Sequence, residues 1–263
     1  MDARDWNAPD GAARTAWANA ARRFEYRLDA WPALTLLLVF SFVAMHVASG
    51  IADVQSGRAS VLGAAFFVRS DPALRAFGAR DLLSVRHDEW WRLVTYGFLH
   101  GGTLHLALNG TAMLGLGRLC ETVFGRVRTL WLFLVTVIAG GVLSQVGGIR
   151  LSEGASGGLF GMLGALAAFG WRGRRRLDPV LRRDFGPGLW PWIGVNLVLG
   201  FFFSAYVDNL CHIGGLVSGI LVGLMLGNRI TDNDQGSRVA TWAMGLGSVA
   251  ILVYGFGGLT VGR

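Results

Sequence analysis

Apolar residues run along this chain in seven long blocks separated by shorter polar, arginine-bearing stretches. The blocks lie near 31–51, 93–117, 129–148, 154–171, 189–207, 209–228 and 239–260. Crossing a hydrocarbon core of about 30 Å takes roughly 20 helical residues, and each block approaches that length. The pattern predicts seven transmembrane helices and an all-α fold class, a polytopic membrane helical bundle. The fourth and sixth blocks are short and glycine-rich, and the sixth opens with Asn209 and His212. The connection 52–92 is itself partly apolar ("VLGAAFFV", "DLLSV"), and its "EWWR" sets two tryptophans where interfacial rings settle. It is expected to lie partly in the outer leaflet. Residues 1–30 are polar and weakly amphipathic, which suits either a helix on the cytoplasmic leaflet or a solvated helix.

Composition agrees with a membrane setting. Hydrophobic residues make up 52% of the 263 positions and charged residues 16%, against about a quarter charged in soluble domains. No cleavable signal peptide is expected, because the polar first 30 residues are too long for an n-region and the run from Trp31 too long for an h-region. Cys120 and Cys211 form no framework or CxxC pair and are expected at opposite membrane faces, which excludes a disulfide between them.

The net charge is +7, and all 24 basic residues are arginine. They lie between apolar blocks rather than on one basic face, so no nucleic-acid partner is expected. With the N-terminus in the cytoplasm, sixteen of the 24 fall in cytoplasmic segments, with "WRGRRRLDPVLRR" as the strongest marker. That asymmetry predicts an N-in orientation.

On this topology Ser156 opens the fourth span at the outer face, and His212 lies about one turn into the sixth span from the same face. Hydrogen-bonding groups at membrane depth are costly and usually functional. Gly215, Gly219, Gly223 and Gly227 recur every four residues on the sixth span, and Gly157 and Gly161 do so on the fourth. Small-residue ridges let helix backbones approach closely, and His212 projects from the same face as its ridge. Ridge-to-ridge packing would carry the imidazole to the serine. His105 and Asn109, four apart, share one face near the outer end of the second span. Both can donate hydrogen bonds, and with the Ser156 N–H they would form an oxyanion hole. Each residue also has a plainer reading: Ser156 as packing, His212 as a helix-end cap, His105 and Asn109 as an interhelical clamp.

Taken in order, "EWWRLVTYGFLHGGTLHLALN", "GRLCETVFG", "GASGGLFGMLG" and "VDNLCHIGG" resemble the motifs of the rhomboid family of intramembrane serine proteases. The resemblance runs from about Trp90 to Gly227. It departs at Cys211, where the family commonly has alanine. It implies a six-helix core, here 31–228, plus one C-terminal transmembrane helix, 239–260. It further implies a serine–histidine dyad without an acidic third member. Ser156 would be the nucleophile, His212 the general base, and His105 and Asn109 the oxyanion donors. Phe160 would stack on the histidine, and Arg92 and Glu121 would be structural. Asp208 suits an N-cap as well as any catalytic role. The implied substrates are single-pass transmembrane proteins, cut at a site opening to the non-cytoplasmic side and flanked by the fifth span and the 52–92 segment. The expected location is a bacterial inner membrane. No cofactor and no metal are expected.

Rival readings are weaker. "GASGG" also fits G-x-S-x-G, but the nucleophile elbow of α/β-hydrolases needs a preceding strand and alternating β/α elements. A zinc site from His100, His105 and His212 has no H-E-x-x-H. A transporter predicts an inverted repeat, which the spans do not show. The serious alternative is a non-catalytic rhomboid-like protein that binds or chaperones transmembrane helices.

Overall fold

The computed structural model describes residues 11–66, 69–204, 207–231 and 238–261. In chain order the helices are α1 (Gly11–Leu28), α2 (Ala33–Gln55), α3 (Val61–Phe66), α4 (Asp71–Ala76), α5 (Leu82–Arg86) and α6 (Arg92–Thr95). A 3-10 turn (Tyr96–Phe98) leads to α7 (Thr103–Phe124) and α8 (Arg126–Val146). Then come α9 (Ser156–Gly173), α10 (Pro179–Asp184), α11 (Trp190–Phe202), α12 (Asn209–Met225) and α13 (Arg238–Val261). Two short strands, β1 (Arg80–Asp81) and β2 (Leu151–Ser152), complete the set. The fold is an all-α polytopic bundle. Among the described residues α2, α8 and α13 are long and apolar enough to cross a membrane, and α11 and α12 are shorter apolar helices.

Seven helices stand at the seven apolar blocks, with one clear difference. The second block does not run as one helix from residue 93. It breaks after Phe98, turns extended at Leu99, and resumes as α7 behind an extended Gly102, ending seven residues later than expected, at Phe124. Hydropathy cannot see this break, because backbone groups freed from a helix need partners from elsewhere. Here Gly101 O accepts from Arg69 N at 2.7 Å and Tyr96 O accepts from Gly154 N at 3.0 Å. The fifth span is also shorter than expected, ending at Phe202 rather than 207.

At the centre, α9 is buried along nearly its whole length, and α12 lies against it through glycines. A methyl group at Gly219 would sit 2.6 Å from Gly161 Cα, and one at Gly223 2.6 Å from Ala165 Cα. At Gly215 it would overlap the Gly157 carbonyl. The ridge ends there: the nearest atom to a methyl at Gly227 is 3.8 Å away on Arg128. Phe42, Phe98 and Phe133 pack edge-on or tilted beside this pair, with centroids 5.8–6.1 Å apart.

The 52–92 connection is structured. β1 pairs antiparallel with β2, Arg80 facing Ser152, which ties this connection to the segment just before Ser156. Arg80 is fully buried and donates to Gln145 Oε1 at 2.9 Å and to Ile149 O at 2.8 Å. Val61, Leu62 and Leu83 remain exposed. The N-terminal helix α1 touches the bundle. Trp17 donates to Arg175 O at 3.2 Å, and Phe24 meets Phe185 edge-on at 5.5 Å, so α1 docks on the bundle end away from Ser156.

Candidate active site

Ser156 is the first residue of α9 and is half-buried among buried neighbours. Its position follows from Gly154, whose φ of +120° only glycine adopts readily, so the chain can turn from β2 into the helix. A side chain at Gly154 is also excluded by the site itself. Its Cβ would lie 2.7 Å from Cε1 and Nε2 of His105 and 3.8 Å from Nδ2 of Asn109. The two candidate oxyanion donors on α7 therefore face the loop that delivers Ser156.

From the other side comes α12. Asp208 is its N-cap, accepting from Cys211 N at 3.0 Å, and it also accepts from the Ser144 hydroxyl on α8. His212 follows in the first turn, buried, and stacks on Phe160 one turn after Ser156, centroids 4.3 Å apart and planes 15° from parallel. The α9–α12 glycine contacts begin at this level, since Gly157, next to the serine, meets Cys211 and Gly215. The four predicted residues Ser156, His212, His105 and Asn109 thus lie at one end of the bundle, around one loop. His212 Nδ1 is buried without a hydrogen-bond partner, so Asp208 caps the helix and makes no hydrogen bond to this nitrogen.

The donors are themselves positioned. Asn109 gives one amide N–H to His105 O at 3.2 Å and carries a second. His105 packs edge-on against His100 at 5.1 Å, and its Nδ1 lies 4.0 Å from Glu153 Oε1. His46 bridges His100 O at 3.2 Å and Thr103 Oγ1 at 3.3 Å. Burial, and secondarily the nearby Asp71 carboxylate, push the Glu153 carboxyl up to about 7.

Arg92 and Glu121 have structural partners. Arg92 pairs with Glu89 and donates to Arg75 O at 2.6 Å and Ala79 O at 3.1 Å. Glu121, at the far end of α7, accepts from Thr35 N and Oγ1, both at 2.6 Å. Among the described residues no group of three His, Cys, Asp or Glu is placed to hold a metal. Cys120 and Cys211 are both free and buried.

Sequence reasoning passed over Tyr96, Ser144 and Glu153. Tyr96 donates to Val137 O at 2.6 Å and lies 3.3 Å from Cys211 Sγ, bracing the residue before His212. No local pattern announces it, since its partners lie 41 and 115 residues away. Glu153 was visible as the lone carboxylate three residues before Ser156, a signal worth weighing.

The model of the Rhomboid domain matches residues 87–229. The rhomboid protease GluP of Bacillus subtilis is 38% identical over 154 residues, covering 59% of this chain and 29% of that protein. RHOMBOID-like protein 5 of Arabidopsis thaliana is 35% identical over 163 residues, 60% of this chain and 50% of its own length. Rhomboid-like protease 5 of Toxoplasma gondii is 34% identical over 180 residues, 65% of this chain and 20% of its own. The aligned regions span half or less of these relatives.

Proposed function

Because the chain belongs to the rhomboid family, we propose that it is an intramembrane serine endopeptidase that hydrolyses peptide bonds in or near transmembrane segments. Ser156 attacks the scissile carbonyl while His212 takes its proton as general base, then returns it to the leaving amine as general acid. His105, Asn109 and the Ser156 N–H stabilise the oxyanion. The observation that carries this reading is the stacked Phe160–His212 pair one helical turn from Ser156, held by glycine-to-glycine contact of α9 and α12. A helix-packing role for Ser156 would need none of the convergence of His105 and Asn109 on Gly154.

The substrates are single-pass transmembrane proteins, and the catalytic unit is the core 31–228 with 239–260 as an added helix. The arginine distribution supports an N-in orientation, with Ser156 opening to the non-cytoplasmic side of a bacterial inner membrane.

The test is labelling of detergent-purified protein by a fluorophosphonate probe, comparing wild type with Ser156→Ala and His212→Ala. Labelling of wild type alone, followed by cleavage of a transmembrane peptide, is the expected result. Folded wild type that stays unlabelled, beside an active rhomboid that reacts in the same detergent, would overturn it in favour of a helix-binding protein.

A further inference from the structure

The added helix α13 has two unlike faces. Trp242, Leu246, Val249 and Val253 are exposed on one, at the three- and four-residue steps of a helix surface. On the other, Met244, Ile251 and Phe256 pack against the core and Ser248 is fully buried. Glycines mark the closest approaches on that inner face. A Cβ at Gly247 would lie 2.6 Å from Cζ3 of Trp131 on α8, and one at Gly255 2.7 Å from Cβ of Val94 on α6. At Gly258 it would strike the Trp91 indole. Glycine weakens a helix and is favoured where packed elements come close. A helix that only anchored the chain in lipid would need none there.

Two of those three partners belong to one segment, residues 91–98. Phe256 adds an edge-on contact to Phe98, centroids 5.2 Å apart. The same segment is closed against α8. A Cβ at Gly97 would lie 2.6 Å from Cγ1 of Val137, and one at Gly141 2.9 Å from Cε1 of Tyr96. α6 has only four residues, too few for a helix to hold itself in place, so tertiary contacts set its position. Arg92 and Thr95 bond it to carbonyls of Arg75, Gly78 and Ala79, which lie in the 52–92 connection rather than in a spanning helix. The spanning helices that grip it are α8 and α13.

This segment in turn holds the candidate active site. Tyr96 is fully buried, and its carbonyl accepts from Gly154 N at 3.0 Å, two residues before Ser156. Its hydroxyl donates to Val137 O and lies 3.3 Å from Sγ of Cys211, the residue before His212. One side chain and its own carbonyl thus touch both the loop that delivers the serine and the turn that carries the histidine. We infer that α13 is a positioning element of the catalytic site: closed on Trp91, Val94 and Phe98, it holds Tyr96 against Gly154 and Cys211. The inference rests on the protease reading above. A displacement of about 1 Å in such a frame can slow catalysis about 100-fold.

The experiment uses the full chain in detergent and compares wild type with Gly255→Leu, Gly258→Leu and Gly257→Leu. It reads the rate of fluorophosphonate labelling, the fraction labelled, the unfolding temperature, and kcat and KM for a transmembrane peptide. Gly257 is exposed with nothing within 4 Å of an added Cβ, so the same substitution there adds apolar bulk without pushing on residues 91–98. The two inward variants should label about 10- to 100-fold more slowly and lose kcat with KM changed by less than about twofold, while Gly257→Leu matches wild type. Trp91→Ala makes room at Gly258, so Trp91→Ala with Gly258→Leu should label faster than Gly258→Leu alone. Should a leucine variant not fold, Gly255→Ala and Gly258→Ala carry the same comparison. Inward variants that label at the wild-type rate would reduce α13 to an anchor and overturn the proposal. So would variants that lose only the fraction labelled, in step with a lower unfolding temperature. Wild type that itself stays unlabelled would instead overturn the protease reading beneath it.

Discussion

The imidazole of His212 lies nearly parallel to the ring of Phe160, with 4.3 Å between their centroids. The stack fixes the ring plane of the proposed base, and Nδ1 has no hydrogen-bond partner to fix it. Aromatic pairs of this kind contribute about 0.5–1.5 kcal/mol beyond burial. Phe160→Leu keeps most of the apolar volume and removes the stack. Its fluorophosphonate labelling rate should fall about 2- to 10-fold with little change in unfolding temperature. A rate equal to wild type would show that the ring is packing only.

Asp208 separates a dyad from a triad. Its carboxylate caps α12 through Cys211 N and takes the Ser144 hydroxyl, one turn before His212. Asparagine caps about as well as aspartate, whereas alanine costs about 0.5–2 kcal/mol. Asp208→Asn should therefore label within about twofold of wild type, and Asp208→Ala should unfold at lower temperature by an amount matching that loss. Inactive but stable Asp208→Asn would make the aspartate part of the catalytic machinery.

The glycine contacts predict a steep local cost. A methyl at Gly219 has no room, with Gly161 Cα 2.6 Å away, so α9 and α12 must separate. Overpacking of this kind typically costs about 1–3 kcal/mol. Gly219→Ala should lower the unfolding temperature and slow labelling together, because the contact joins the helix that begins with Ser156 to the helix that carries His212. Gly115→Ala on α7, with nothing within 4 Å of the added methyl, is the control and should change neither appreciably.

These contacts show what was legible in the chain and what was not. The four-residue glycine spacing and the i, i+4 pair His105–Asn109 are local patterns, and both correspond to faces that meet in the fold. The break at Leu99–Gly102 was hidden because apolar residues continue through it, while the bonds that make it tolerable come from Arg69 and Gly154. Arg80, fully buried, read as one more loop charge. Its partners Gln145 and Ile149 lie 65 and 69 residues away, across a two-residue strand pairing too short to announce itself. The fourth glycine of the ridge illustrates the converse. Gly227 keeps the spacing but lies beyond the end of α12 at Met225, where no helix remains to pack.

Glu153 couples pH to the loop that carries Ser156. Its carboxyl is raised from 4.5 to about 7, first by burial and then by the Asp71 carboxylate. A carboxyl whose folded value exceeds its unfolded one stabilises the fold in its neutral form. That contribution is complete below the unfolded value of 4.5, declines as pH rises toward 7, and is absent above it. Glu153→Gln stays neutral throughout. The unfolding temperature of wild type minus that of the variant should therefore fall between pH 4.5 and 7 and level off beyond. Above 7 the ionised carboxylate, with Oε1 4.0 Å from His105 Nδ1, also opposes negative charge at the proposed oxyanion position. Glu153→Gln should accordingly label faster than wild type at pH 8 and nearly equally at pH 5.5. A temperature difference that does not vary with pH would mean that Glu153 keeps an ordinary carboxylate value and leaves the loop indifferent to protons.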